Sequence, residues 1–115
     1  MKNPKVQGRK ESIISRELTL ILIKEIDDVI LKAVSISEVR LINDNELAKV
    51  YYSFIAFSNQ TINQNIVQTH LEEKKNLIRK LLARKLEMRK VPDLSFVYDD
   101  SLDRANRIDQ ILADK

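Results

Sequence analysis

The spacing of apolar residues changes period several times along this chain, and each change marks where a helix must give way to a strand or the reverse. From about Glu11 to Ile26, Ile14, Leu18, Ile21 and Leu22 recur at helical intervals, joined by Ile13, Leu20 and Ile23, with Arg16 and Glu17 on the other side. That pattern predicts a helix with a broad buried face. Across Ala33–Ile42 the apolar positions alternate instead, and the phase shifts between Ile36 and Val39, as at a β-bulge. Asn43-Asp44-Asn45 reads as a turn, because Asn and Asp tolerate left-handed backbone. Leu47–Ala56 is strand-like again, with Ala48, Val50, Tyr52 and Phe54 on one face, so the two strands are expected to form an antiparallel hairpin.

A polar stretch from Ser58 to Gln64, with Ser58 and Thr61 as candidate caps, leads into a helical region reaching Met88. Its apolar residues fall into two sets, Ile66, Val67 and Leu71, then Leu77, Ile78, Leu81, Leu82 and Leu86, separated by Glu72 to Lys75. Two helices joined by a kink are therefore expected rather than one straight helix. Lys85 falls inside the apolar stripe and is expected to snorkel. Pro92 ends this region, and Leu94, Phe96 and Tyr98 alternate with Ser95 and Val97 in a third strand. Ser101–Ala113, with Leu102, Ile108, Ile111 and Leu112, predicts a short closing helix capped by Asp100 or Ser101. The order α-β-β-α-kink-α-β plus a short C-terminal helix predicts one α+β domain over residues 1–115, a three-stranded sheet packed on helices, with residues 1–10 as a polar lead-in.

Composition removes whole classes of chemistry. The chain has no cysteine, one histidine (His70) and one glycine (Gly8), which excludes disulfides, thiolate zinc sites, multi-histidine metal centres and every glycine-spaced phosphate cradle. No cofactor, metal or small-molecule substrate is expected. The apolar runs fall far short of the ~20 residues of a membrane span, and the polar start carries no signal peptide. A cytoplasmic monomer without membrane contact is the expectation.

Charge is distributed unevenly. Residues 1–16 carry Lys2, Lys5, Arg9, Lys10 and Arg16 against Glu11, while 17–73 and 91–115 are net acidic. From Lys74 to Lys90, eight basic side chains (Lys74, Lys75, Arg79, Lys80, Arg84, Lys85, Arg89 and Lys90) oppose Glu87 alone. Such a block is the electrostatic footprint of a polyanion binder, and its alternative is a solvated helix face. Arg79, Lys80 and Arg84, extended by Lys74, Lys75, Arg89 and Lys90, are the best binding candidates, with Arg9 and Lys10 joining them if the first helix begins nearby.

Other groups suggest less. Asp99, Asp100 and Asp103 could hold a hard cation, but their place ahead of a helix favours capping. His70 has no partner by motif and reads as a surface or boundary residue. Tyr52, Phe54, Phe96 and Tyr98 read as core, whereas Tyr51, on the opposite strand face, is the exception that invites a test as a base-stacking residue.

The run Val91-Pro92-Asp93-Leu94-Ser95-Phe96-Val97-Tyr98-Asp99-Asp100-Ser101-Leu102-Asp103-Arg104 resembles the C-terminal signature of the ribosome-binding factor A family, bacterial assembly factors of the small ribosomal subunit. Arg16-Glu17-Leu18 with Ile21-Leu22, Glu25-Ile26 followed by Asp28, and Ala48-Lys49-Val50-Tyr51 match in order, so the resemblance spans about Lys5 to Ala113. It implies a type II KH-like fold, no enzymatic activity, and binding of the small (30S) subunit through 16S rRNA late in its maturation. A role in processing the rRNA 5′ end and in growth in the cold is implied as well. The family's kinked Ala-x-Gly element aligns with Lys74-Lys75-Asn76, which places Asn76 among the RNA-binding candidates. Lys replaces Ala and Asn replaces Gly there, and Val29 stands where the family usually has proline. The rival readings are a protein-interaction module using the acidic surface, and a small RNA hydrolase acting through Asp99 and Asp100.

Overall fold

A computed structural model describes residues 8–55, 62–86 and 90–100. Helix α1 (Arg9–Leu20) runs on into a π-helical turn, Ile21–Glu25, then comes α2 (Val29–Lys32), strands β1 (Val34–Ile42) and β2 (Leu47–Phe54), helix α3 (Gln64–Leu86) and strand β3 (Asp93–Tyr98).

Glu11 anchors the start of the fold with both carboxylate oxygens. One accepts the Gly8 amide at 2.8 Å and closes the first turn of α1, and the other accepts the Leu41 amide of edge strand β1, also at 2.8 Å. In the π turn the Ile26 amide reaches back five residues to the Ile21 carbonyl, which lets Ile21, Leu22 and Ile26 all enter the core. Lys32 donates to the carbonyls of Ile23 and Ile26, satisfying groups that the end of the helix leaves open. The four-residue α2 has no counterpart in the periodicity, but its cap is visible in hindsight: Asp28 accepts the amides of Ile30 and Leu31. Val29 occupies the first helical position, whose amide has no intrahelical partner in any case. Proline is at home there for that reason, and valine fills it without loss.

The hairpin matches the expectation. Its register shifts between Ile36 and Glu38, and Asn43, Asp44 and Asn45 all take left-handed backbone, with φ of 53°, 55° and 66°. The strand order is β1-β2-β3, with β1 antiparallel and β3 parallel to β2. Ala48, Val50, Tyr52, Leu94 and Phe96 turn inward onto one layer of helices, where they meet Ile14, Leu18, Leu22, Val67, Leu71, Ile78 and Leu82. Tyr52 donates its hydroxyl to Gln68 at 2.5 Å, and Gln68 in turn donates to the Phe96 carbonyl at 3.0 Å. That chain of bonds ties β2, α3 and β3 together through a polar pair the core can accept.

The kink expected at Lys74-Lys75-Asn76 is absent. Helix α3 is one uninterrupted run of 23 residues, and Asn76 is an exposed helical residue without positive φ. The reason lies in the phase of the apolar stripe. Val67, Leu71, Ile78 and Leu82 are its buried members, and Ile78 follows Leu71 by seven residues, two turns of one helix. Leu77, which made the pattern look interrupted, is 43% exposed. Lys85 is also not an isolated snorkelling residue: its ammonium meets Glu25 at 2.8 Å. Asn63, rather than Ser58 or Thr61, accepts the Ile66 amide at the start of α3. Ser58 and Thr61 themselves, and the expected C-terminal helix over Ser101–Ala113, lie outside the described residues.

Asn76→Ala is expected to stabilise the protein by roughly 0.5 kcal/mol and Asn76→Gly to destabilise it by a few tenths, following helix propensity at an exposed site. Urea unfolding of both variants checks this, and a left-handed Asn76 would reverse the order.

Candidate nucleic-acid interface

A straight α3 sorts the basic block by angle, at about 100° per residue. Asn76, Lys80 and Arg84 stand four residues apart and form one row along the outer side, opposite the buried stripe. Lys80 and Arg84 are exposed and make no ion pair among the described residues. Of the block's other members on α3, Lys75 and Arg79 fall on one flank, Lys74 on the other and Lys85 in line with the apolar stripe, and three of these four are engaged by the fold.

Arg79 donates to the carbonyls of Val91 at 3.1 Å and Pro92 at 3.3 Å, and its guanidinium lies 3.9 Å from the Asp93 carboxylate. It tethers the segment entering β3. Lys75 pairs with Glu72 at 2.9 Å on the same helix. Lys85 pairs with Glu25, and this hydrogen bond raises its pKa above the ordinary lysine value. Lys74 is half-buried on the other flank and has no ion pair among the described residues. Lys90 is exposed just ahead of β3, and Arg89 lies outside the described residues. Of the N-terminal cations, Lys10 lines one shallow cleft with Ile13, Ile14 and Leu86, so the start of α1 lies against the end of α3, whereas Arg9 lines another with Leu41 and Asn45. Arg9 and Lys10 are both exposed.

The line along which α3 meets β3 is closed by the chain itself, through Gln68 on the Phe96 carbonyl and Arg79 on those of Val91 and Pro92. A ligand strand is thereby kept from these carbonyls, and the outer row of α3 is left as its accessible basic surface.

The other candidates resolve into structure. Tyr52 is fully buried, its ring 5.8 Å from that of Tyr98, which also packs on Phe54 at 5.6 Å. Burial, with Glu72 nearby, raises the Tyr52 pKa. Asp99 accepts the Ser37 hydroxyl at 2.8 Å, fastening the end of β3 to the bulge in β1. No group of three or more His, Asp or Glu side chains that could hold a metal occurs among the described residues. No described helix is long and apolar enough to cross a membrane. His70 does have a partner, one that no motif reveals: its Nδ1 lies 2.8 Å from Asp28, joining α3 to the cap of α2. Burial pushes the Asp28 carboxyl up, but the His70 hydrogen bond and the amides of Leu31 and Ile30 outweigh it and hold the group below its ordinary value near 3.8.

A three-stranded sheet with two parallel strands joined through a long helix, all the described helices on one face, is a KH-like α+β fold. The model for the family described as "Ribosome-binding factor A" matches residues 6–112. Ribosome-binding factor A of Streptococcus sanguinis is 40% identical over 101 residues, covering 88% of this chain and 85% of the relative, and that of Streptococcus mutans matches equally. The crystal structure of ribosome-binding factor A from Thermus thermophilus superposes with a TM-score of 0.66 at 23% identity, over 80% of this chain and 97% of that one. A Thermus thermophilus homology model, fitted into a cryo-EM map of a 30S–RbfA complex, gives a TM-score of 0.65 at 21% identity, over 83% and 97%. The chain belongs to the ribosome-binding factor A family.

Two outcomes separate structural from ligand-facing charges. Arg79→Ala is expected to cost about 1–2 kcal/mol in urea unfolding, because it releases two backbone carbonyls at the entry to β3, whereas Lys80→Ala stays within about 0.5 kcal/mol. Asp28 contributes stability above its unfolded pKa, and this is lost as pH falls below about 4 through the lower folded value. Asp28→Asn is therefore expected to be less stable than the parent at pH 7 by about 1–2 kcal/mol, with the gap narrowing towards pH 2; thermal unfolding across that range measures it.

Proposed function

We propose that this chain is a non-enzymatic assembly factor that binds the immature small ribosomal subunit through 16S rRNA and assists its late maturation, including processing of the rRNA 5′ end. The observation that carries this reading is membership of the ribosome-binding factor A family, and the geometry adds a means of contact. Lys80 and Arg84 form an exposed cationic row that no described carboxylate neutralises, with Lys10 near the C-terminal end of the same helix. Phosphates docking on such a row release condensed counterions, which makes binding favourable and dependent on salt. The work is done by binding energy: an RNA conformer that fits the protein is held at the expense of those that do not. In this reading the protein acts as a cytoplasmic monomer and supports growth in the cold.

Sedimentation with purified immature small subunits, compared with mature 70S ribosomes and free RNA, tests the assignment. The chain is expected to pellet with the immature subunit. Lys80→Ala/Arg84→Ala should weaken that association and lower the slope of log affinity against log salt by about 1.5, at 0.7 to 0.9 per phosphate contact. An unchanged slope would show the row to be merely solvated, and a chain that ignores the RNA but binds ribosomal proteins would favour an interaction module.

A further inference from the structure

The sheet has a second face. Ala48, Val50 and Tyr52 of central strand β2 point into the helical layer, so Lys49, Tyr51 and Ser53 point the other way. The register sets Lys49 between Arg40 of β1 and Ser95 of β3, and Tyr51 between Glu38 and Val97. All six are half-exposed, and the described helices pack against the opposite face.

Arg40 and Lys49 face each other directly across the β1–β2 pair, an arrangement of like charges that weakens strand pairing. Glu38 relieves part of this by pairing with the Arg40 Nε, while Lys49 makes no ion pair among the described residues. Asp93, at the corner of the same face, is turned to its own neighbours, the Leu94 amide and the Arg79 guanidinium. Asp99 accepts the Ser37 hydroxyl, so among the described residues Lys49 is left without a carboxylate partner at the centre of this face. The adjacent residue on that face of β2 is an aromatic ring.

We propose that this face is a second RNA site, which takes a single-stranded segment with a base stacked on Tyr51 and the neighbouring phosphate on Lys49 and Arg40. The chemistry selects single strands, because a duplex hides its base faces in the stack whereas a flat sheet offers a ring to an unstacked base. The hydroxyl of Ser95, beside Lys49, is placed to bond a base edge or a ribose 2′-hydroxyl. A protein partner fits less well, since Tyr51 and Val97 supply little of the clustered apolar anchor on which protein interfaces rely. The choice of RNA as the ligand rests on the proposed function, but the site is separate from the α3 row and lies on the other side of the molecule.

Octauridylate titrated into the full chain tests the site, read by anisotropy of the labelled oligonucleotide and by quenching of tyrosine emission. The chain has no tryptophan and only three tyrosines, of which Tyr52 is buried. Binding with quenching is expected. Tyr51→Ala should weaken it about five-fold or more, Tyr51→Phe should retain it because the ring remains, and Lys49→Gln should weaken it and lower the salt slope by about 0.7. Lys80→Ala/Arg84→Ala should leave the quenching at saturation intact. Absence of octauridylate binding, or full binding by both Tyr51→Ala and Lys49→Gln with native circular dichroism, would overturn the proposal, including in favour of a protein on this face. Octauridylate binding through Tyr51 without subunit binding would uphold this site and sink the proposed function; the reverse result would do the opposite.

Discussion

Parallel pairing of β3 with β2 is the constraint on which the rest of this structure depends. Adjacent parallel strands cannot be joined by a tight turn, so the chain must travel back along the sheet before β3 can begin. Six residues of β3 cover about 20 Å, and the 23 residues of α3 rise about 35 Å, enough to make the return in one straight helix. A helix that must span the sheet needs an apolar stripe along its length, and Val67, Leu71, Ile78 and Leu82 supply one. Gln68 and Arg79 sit on the flank beside that stripe, and each bonds to backbone of β3 or its lead-in. The crossover is thus held by burial along its core side and by directed hydrogen bonds along its seam with the third strand.

Much of this was legible in the sequence, and the failures have physical causes. The bulge near Ser37, the Asn-Asp-Asn turn and the alternation in β3 are local features, decided by residues within a few positions of one another. The direction of β3 is not local, since alternation looks the same whether a strand pairs parallel or antiparallel. The apolar-free stretch Glu72 to Lys75 suggests a break in α3, but with Ile78 rather than the exposed Leu77 as the next buried member the spacing from Leu71 is an unbroken two turns. Resemblance suggests the same break, as the family's interrupted helix aligns with Lys74-Lys75-Asn76. Helix α2 is too short, at four residues, to show a period, and Asp28 as its cap is its one local signal.

Charge was the least legible property of the site. Eight cations in seventeen residues mark a candidate polyanion surface by their number, but number does not say which of them the fold itself uses. Arg79, Lys75 and Lys85 differ from Lys80 and Arg84 only in their angle around one helix. That angle places the first three against β3, Glu72 and Glu25, and leaves the last two facing water. Surface ion pairs of this kind contribute little to stability, so Lys75 and Lys85 remain cheap to recruit to a ligand. Arg79 does not, because its release would leave the backbone at the entry to β3 without its donors.

The two charged surfaces lie on opposite sides of a molecule only two layers thick. A protein with one binding face lies upon its ligand, and its grip says little about how distant parts of that ligand are arranged. If the α3 row on one side and Lys49 and Tyr51 on the other both take RNA as proposed, full engagement requires two RNA segments to approach from opposite directions and to be held a fixed distance apart. Each segment alone gains only part of the binding energy, so the conformer that presents both is favoured over those that present one. A rigid spacer of the proposed kind would bias a folding RNA by binding alone, and the tethers through Arg79 and Gln68 are what would keep its two faces in register.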